Sequence, residues 1–295
     1  MNTQKRPPQP IVDTGRGRAN RPKSIFASAD EATPQTPEPS EIVPDAVVAA
    51  SAAPAEAATG TAAIAVTELT RRYGDAVALE SITLHISHGQ RVALVGHNGS
   101  GKTTLIRMIT GTLDPTGGTV FVGGHAVGSI EARAALSYLA DQPVFYDDLS
   151  LIEHIEYVAR LHGRKDWAAH GNELMERFGI AHRCDDLPVT FSRGLKQKAA
   201  ICLAFIRPFE VLIVDEPFVG LDTPGRSELL TLFDEAHDNG RTLLVATHEL
   251  HTVVASDRLL ALANGTLIHD GSPDVDVAGL VEGTAPTSPG GTNSG

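Results

Sequence analysis

Residues 96 to 104 read Gly96-His97-Asn98-Gly99-Ser100-Gly101-Lys102-Thr103-Thr104: a glycine, four residues, then Gly-Lys-Thr. This is the phosphate-binding loop pattern. Its glycines let the backbone curl until several N–H groups converge on phosphate oxygens, and the helix that follows adds the positive end of its dipole. Lys102 is placed to reach the β- and γ-phosphates, and Thr103 to offer a hydroxyl to magnesium. The implied ligand is a nucleoside triphosphate with Mg2+. A second pattern, Val211-Leu212-Ile213-Val214-Asp215-Glu216, ends an apolar run in two carboxylates. In phosphate-loop enzymes the first, here Asp215, holds the magnesium. Glu216, one position on, can take a proton from an attacking water.

The elements that must position these groups are legible around them. Arg91 to Val95 is apolar and β-branched, which predicts a buried strand running into the loop, and Thr104 to Ile109 has helical spacing. Upstream, Ile64, Val66 and Leu69 alternate with polar residues, as do Ile82, Leu84 and Ile86, predicting antiparallel strands with one buried face. Gly117 to Val122 predicts another strand. From Leu151 to Phe178 the pattern is helical, broken at Gly163, with Trp167 assigned to packing. After Ser192 the order becomes helix, strand, helix, strand. The continuous apolar runs Val211–Val214 and Thr242–Ala246 predict strands of a parallel sheet covered on both faces.

A third anion-binding pattern lies between the two motifs. Phe191-Ser192-Arg193-Gly194-Leu195-Lys196-Gln197-Lys198 opens a helix with a serine and a glycine at its N-terminus. With it, residues 62 to 275 resemble the ATP-binding subunit of ABC transporters. The resemblance implies an α/β fold: a P-loop NTPase parallel core sheet, an antiparallel β subdomain, and an inserted α-helical subdomain at about 143–195. It matches residue by residue. Gly96, Asn98, Gly99, Ser100, Gly101, Lys102, Thr103 and Thr104 hold the phosphates of ATP, and Tyr73 looks like the aromatic that stacks on adenine. Gln142 matches the glutamine that joins magnesium to the attacking water, beside Thr103 and Asp215. Ser192 and Gly194 match the signature motif, Asp222 in Gly220-Leu221-Asp222 the loop that crosses a dimer interface, and His248 the histidine that contacts the γ-phosphate. Lys102, Gln142, Glu216 and His248 then carry catalysis. One position departs from the family pattern: Arg193 stands where the signature has glycine, which puts a guanidinium near the partner's phosphates or at the dimer surface.

By family geometry the signature serine cannot reach the nucleotide of its own chain, so the resemblance implies a second ABC domain facing head to tail. It also implies a separate transmembrane permease, with Phe145 and Tyr146 as candidate contacts. The Lys196-Gln197-Lys198 continuation is similar to the exporter-like branch. An ABC ATPase serving a non-transport task, such as cofactor assembly or membrane-complex maintenance, would share the same ATP chemistry. A P-loop kinase fits less well, because Glu216 serves water and a kinase excludes it.

Composition bounds the rest. The 295 residues are 42% hydrophobic and 20% charged, with a net charge of −12, which argues against nucleic acid as a partner. No apolar run reaches membrane-spanning length and no signal peptide precedes the domain, so the expected location is the cytoplasm, at the inner face of the membrane through the permease. Cys184 and Cys202 are too few and wrongly spaced for a metal site. Residues 1 to 61 carry half of the 18 prolines and one aromatic, Phe26, which predicts a disordered tail. Residues 276 to 295 are expected to be a second one.

Overall fold

The structure, a computed structural model, describes residues 62–282. The tail expected over 1–61 lies outside the described residues, as does 283–295. Strand β1 (Ala62–Tyr73) pairs antiparallel with β2 (Ala76–Ser87) and β4 (Gly117–Val122), and β4 carries the short β5 (His125–Ala126). The inward alternation of Ile64 and Val66 would bury position 68 next. A bulge prevents this: Glu68 adopts φ +48°, the register shifts, and Leu69 turns inward instead.

The second sheet comprises β3 (Arg91–Val95), β6 (Leu136–Leu139), β7 (Val211–Asp215), β8 (Thr242–Ala246), β9 (Arg258–Ala263) and β10 (Thr266–Gly271), in the order β10-β9-β3-β8-β7-β6. All its pairings are parallel except the β9–β10 hairpin. Within β3 the period of two divides the core. Val92 and Leu94 pack with Leu105, Ile106 and Ile109 of helix α1 (Lys102–Ile109) and with the inner face of the antiparallel sheet. Ala93 and Val95 face the opposite way, toward Val253 of α7 (Leu250–Val254) and Leu280 of α8 (Val277–Glu282).

Leu280 is fully buried there. The compact domain therefore runs to 282, correcting the boundary expected at 275. The sequence around 276–282 is too short and too mixed to announce a helix, and only the apolar floor offered by Ala93, Val95, Leu259 and Ala261 gives Leu280 a reason to fold back. Helix α2 (Ile130–Ala135) and β6 were likewise not read from the sequence.

The helical section resolves into α3 (Leu151–Leu161), α4 (Trp167–Arg177) and α5 (Arg193–Ile206). Leu151, Ile155 and Ala159 of α3 meet Leu174 and Met175 of α4 and Ile201 of α5, in a cluster that continues onto Leu212, Val214 and Leu243 of the sheet and Phe233 of α6 (Thr223–Asp238). Gly171 sits at the closest approach of α4 to α3: a Cβ there would lie 2.5 Å from Ile155 Cγ2. Trp167 packs against the same cluster, as expected. Among the described residues, no helix is long and apolar enough to cross a membrane.

Candidate functional site

A cleft of about 670 Å3 opens at the carboxyl ends of β3, β6 and β7, where an α/β sheet places its ligand. The loop that follows β3 turns into α1 at Gly101, whose φ of +108° admits no Cβ: one built there would lie 2.7 Å from Leu79 Cδ2. Helix α1 has no side-chain cap and no acidic residue in its first turn. Its first N–H groups are therefore left for a ligand, and the dipole favours an anion there.

The cleft is lined by Asn98, Gly99, Ser100, Gly101, Lys102, Thr103, Thr104, Gln142, Asp215 and Glu216. Lys102 is buried, and its Nζ donates to the Gly96 carbonyl at 2.6 Å and the His97 carbonyl at 3.3 Å. Burial lowers its pKa, against the opposing pull of Glu216 and Asp215. Ser100 Oγ is buried without a hydrogen-bond partner. Asp215 lies almost fully buried at the end of β7. Burial raises its pKa, and the Thr103 hydroxyl that it accepts from lowers it in part.

Glu216 is strongly perturbed. Burial pushes its carboxyl up to about 7, the charge of Lys102 opposes this, and the nearby Asp215 and Asp141 add to it. Its backbone stands at φ +46°, the left-handed region, at a cost of about 1–2 kcal/mol for a side chain of this kind. The Glu216 N–H donates to the Ala246 carbonyl at 2.9 Å, so the neighbouring strand holds that conformation. His248, just past the end of β8, brings Nε2 to 3.0 Å from Glu216 Oε1. Burial, and then the charge of Lys102, lower the His248 pKa and favour its neutral ring, and Glu216 Oε1 is buried without a hydrogen-bond partner.

Six of the expected residues are not in the cleft lining: Gly96 and His248 adjoin it through Lys102 and Glu216, and four others stand elsewhere. Tyr73, 52% exposed at the end of β1, is not part of the cleft lining, and the Arg71 guanidinium lies over its ring at 4.5 Å. Ser192 caps α5, its Oγ accepting from the Leu195 N–H. Gly194 is pressed against the Gly220 carbonyl, which a Cβ would approach to 2.6 Å. Asp222 caps α6 through the Gly225 N–H at 3.1 Å and accepts from Lys198 Nζ at 3.0 Å. These three lie on a surface outside the cleft of their own chain, tied to it from behind by Gln197, whose amide donates to the Pro217 carbonyl at 3.0 Å. The Arg193 side chain is exposed, with Nη2 3.9 Å from Asp141 Oδ1 of its own chain.

The cleft also contains residues not read from the sequence: Val77, Ala78, Arg107, Tyr138, Asp141, Asn264 and Gly265. Asp141 adjoins Gln142 and was available as a neighbour. Asn264-Gly265 is a recognisable turn dipeptide. Nothing local shows that it docks on the phosphate loop, where the Gly265 N–H donates to the Ser100 carbonyl at 2.9 Å.

Comparison with known proteins agrees with this geometry. A family model described as ABC transporter matches residues 79–219. The chain is 32% identical over 208 residues to the SkfA peptide export ATP-binding protein SkfE of Bacillus subtilis, covering 70% of this chain and 87% of that one. It is 33% identical over 207 residues to the ABC-type transporter ATP-binding protein EcsA of the same organism, covering 68% and 84%. Among solved structures, an ATP-binding subunit of an ABC transporter superposes with a TM-score of 0.66 at 32% identity, over 71% of this chain and 89% of that one. A dimeric post-hydrolysis cassette bound to ADP and Pi shares the fold, with a TM-score of 0.66 at 20% identity over 71% and 98%. The chain belongs to the ABC transporter ATP-binding family and is an ATPase.

Proposed function

We propose that this chain energises a membrane exporter, and that ATP is sandwiched between two such domains set head to tail. The observation that carries the reading is the division of the site. Lys102, Thr103, Gln142, Asp215 and Glu216 line one cleft, while Ser192, Gly194 and Asp222 are not part of that lining. A γ-phosphate held by the first set can meet the second set only from another domain.

In this reading the phosphates rest on the loop N–H groups, and Lys102 exchanges its carbonyl partners for phosphate oxygens. Thr103, Asp215 and Gln142 would hold Mg2+. The fit is chemical: a hydroxyl and a carboxylate already bonded to each other offer hard oxygen donors, and Mg2+ completes its shell with water and phosphate. When bound, the ion offsets the charge that develops on the phosphoryl oxygens. Glu216 Oε1, buried without a donor, takes the proton of the attacking water. The water oxygen bonds to the γ-phosphorus as the bond to the bridging oxygen breaks, and ADP and phosphate leave. His248 steadies the carboxylate and the γ-phosphate, and Tyr73 flanks the base. Loss of the γ-phosphate removes the bridge, and the pair opens.

The permease would dock on the helical subdomain. Phe145 packs partly into that subdomain's core, which leaves Tyr146 and the 94% exposed Val144 as the contact surface. The SkfE relative is named for peptide export, which supports the exporter reading. The test is light scattering of Glu216→Gln with Mg-ATP and with Mg-ADP. The mass should double with ATP only, and a monomer at saturating ATP would overturn the sandwich. Co-expression with a membrane subunit should give a complex that survives detergent, and its absence would favour the non-transport alternative.

A further inference from the structure

His154 is a buried titratable group that the phosphate chemistry leaves unused. It lies in α3, 2% exposed, against the loop 143–149 that leads from Gln142 to that helix. Both ring nitrogens are committed. The Tyr146 N–H donates to Nε2 at 2.9 Å, so Nε2 carries no proton. Nδ1 therefore carries it and donates to the Ser150 carbonyl at 2.8 Å. A protonated ring would turn Nε2 into a second donor facing the Tyr146 N–H. Burial favours the neutral form, against weaker opposing effects of the Ser150 carbonyl, Glu153 in α3 and Asp148 in the loop.

The aromatic contacts converge on the same point. The Phe145 ring meets the imidazole edge-on at 5.6 Å, the Tyr146 ring lies 5.9 Å from it, and Tyr146 meets Tyr157 edge-on at 5.6 Å. Loop 143–149 contains neither helix nor strand. At its far end Ser150 and Glu153 form a capping box that fixes the start of α3. At its near end is Gln142, in the cleft lining. Only four peptide steps separate Gln142 from Tyr146, a reach of at most about 14 Å. Fixing the Tyr146 backbone therefore limits where Gln142 can stand.

We propose that His154 is the positioning residue for Gln142: its neutral ring, accepting the Tyr146 N–H, sets the loop that presents Gln142 to the cleft. The inference rests on the reading that Gln142 serves hydrolysis. It separates two bonds of one ring. The Nδ1 bond stays at the start of α3 and contributes stability. The Nε2 bond crosses to the loop and contributes turnover.

Two substitutions divide these bonds. His154→Asn keeps a donor toward Ser150 and loses the acceptor for Tyr146, while His154→Gln carries an acceptor far enough out to meet the Tyr146 N–H. Turnover and KM for ATP are measured on the full chain beside Gln142→Ala, with melting temperature as the control for folding. The Asn variant should lose about tenfold in kcat with KM for ATP nearly unchanged, and the Gln variant should recover most of it at a similar melting temperature. Equal turnover in the two variants, or wild-type turnover in Asn, overturns the proposal. Wild-type turnover in Gln142→Ala removes the reading of Gln142, and the positioning role falls with it. Ring 15N shifts of the unmodified chain test the premise without a variant: the Nδ1–H tautomer supports it, and an Nε2–H tautomer overturns it.

Discussion

Lys102 and Ser192 each stand at the N-terminus of a helix, and the two helices treat that position differently. Helix α1 begins at Lys102 with no side-chain cap, and its first turn faces a polar cleft. Helix α5 begins after Ser192 with its cap in place. The cleft end is unfinished by the rules of helix termini, because its donors are reserved for a ligand. The signature end is finished by side chains of its own chain: Ser192 bonds Leu195, and Asp222 bonds Gly225 and Lys198. The same contrast appears in the titrating groups. Burial disfavours the charged forms of Lys102, Asp215 and Glu216, whereas the charged form of Asp222 is favoured, its carboxyl held low chiefly by Lys198. One region stores desolvated charge awaiting a ligand, and the other is a stable, solvated face ready to be pressed against something. That division supports the proposal of a site shared between two domains.

The strongest way to break the comparison is Glu216→Gln. Removing the base should lower turnover by about 10² to 10⁴ while ATP binding persists, measured as phosphate release and nucleotide affinity. Wild-type turnover would move the base elsewhere. Gly194→Val comes next. Any Cβ meets the Gly220 carbonyl, so the signature surface must shift, and turnover should fall at least about tenfold with affinity for ATP in the isolated domain unchanged. Mixing that variant with Lys102→Ala should restore part of the turnover, because a mixed pair rebuilds one complete site. An inactive mixture would count against two copies sharing it.

The pH profile sharpens the cleft side. Glu216 titrates near 7 in the folded chain, above its ordinary value of 4.5, and only the carboxylate accepts a proton. The kcat/KM should therefore rise with pH through about 7, and the residual rate of the Gln variant should lack that limb. Linkage has the matching sign: the folded chain retains a proton that the unfolded chain has released, so this group's contribution to stability falls as pH climbs from 4.5 to about 7. The smallest effect belongs to Arg193. Its contact with Asp141 is long and exposed, and such pairs contribute about 0–1 kcal/mol. Arg193→Gly should leave turnover within about fivefold of wild type, and a larger gain would mean that the pair restrains the cleft.

Motif spacing made much of the site legible because phosphate binding depends on consecutive backbone groups. Gly96 to Thr104 is local chemistry and can be read as a string. Val211 to Glu216 is similar, since an apolar run ending in two acids is both a buried strand and its mouth. The parallel core was readable because β7 and β8 are buried on both faces and lack polar interruptions. Helix α2, strand β6 and helix α8 were not, since each is short and takes its stability from neighbours distant in sequence. Arg193 illustrates the limit for side chains: its type and position suggested the partner's phosphates or the dimer surface, and nothing in the string pointed to Asp141 as a neighbour within its own chain.

By itself the sequence determined the ligand class, the order of the motifs and the alternation that folds the strands, because these depend on residue type at fixed local spacing. Tertiary structure alone decided the rest. It raised Glu216 toward neutrality, carried the chain on to Leu280 and set Arg193 beside Asp141. It also set His154 beneath the loop from Gln142. Each of these depends on burial or on an approach between distant segments, and neither is written in any short stretch of the chain.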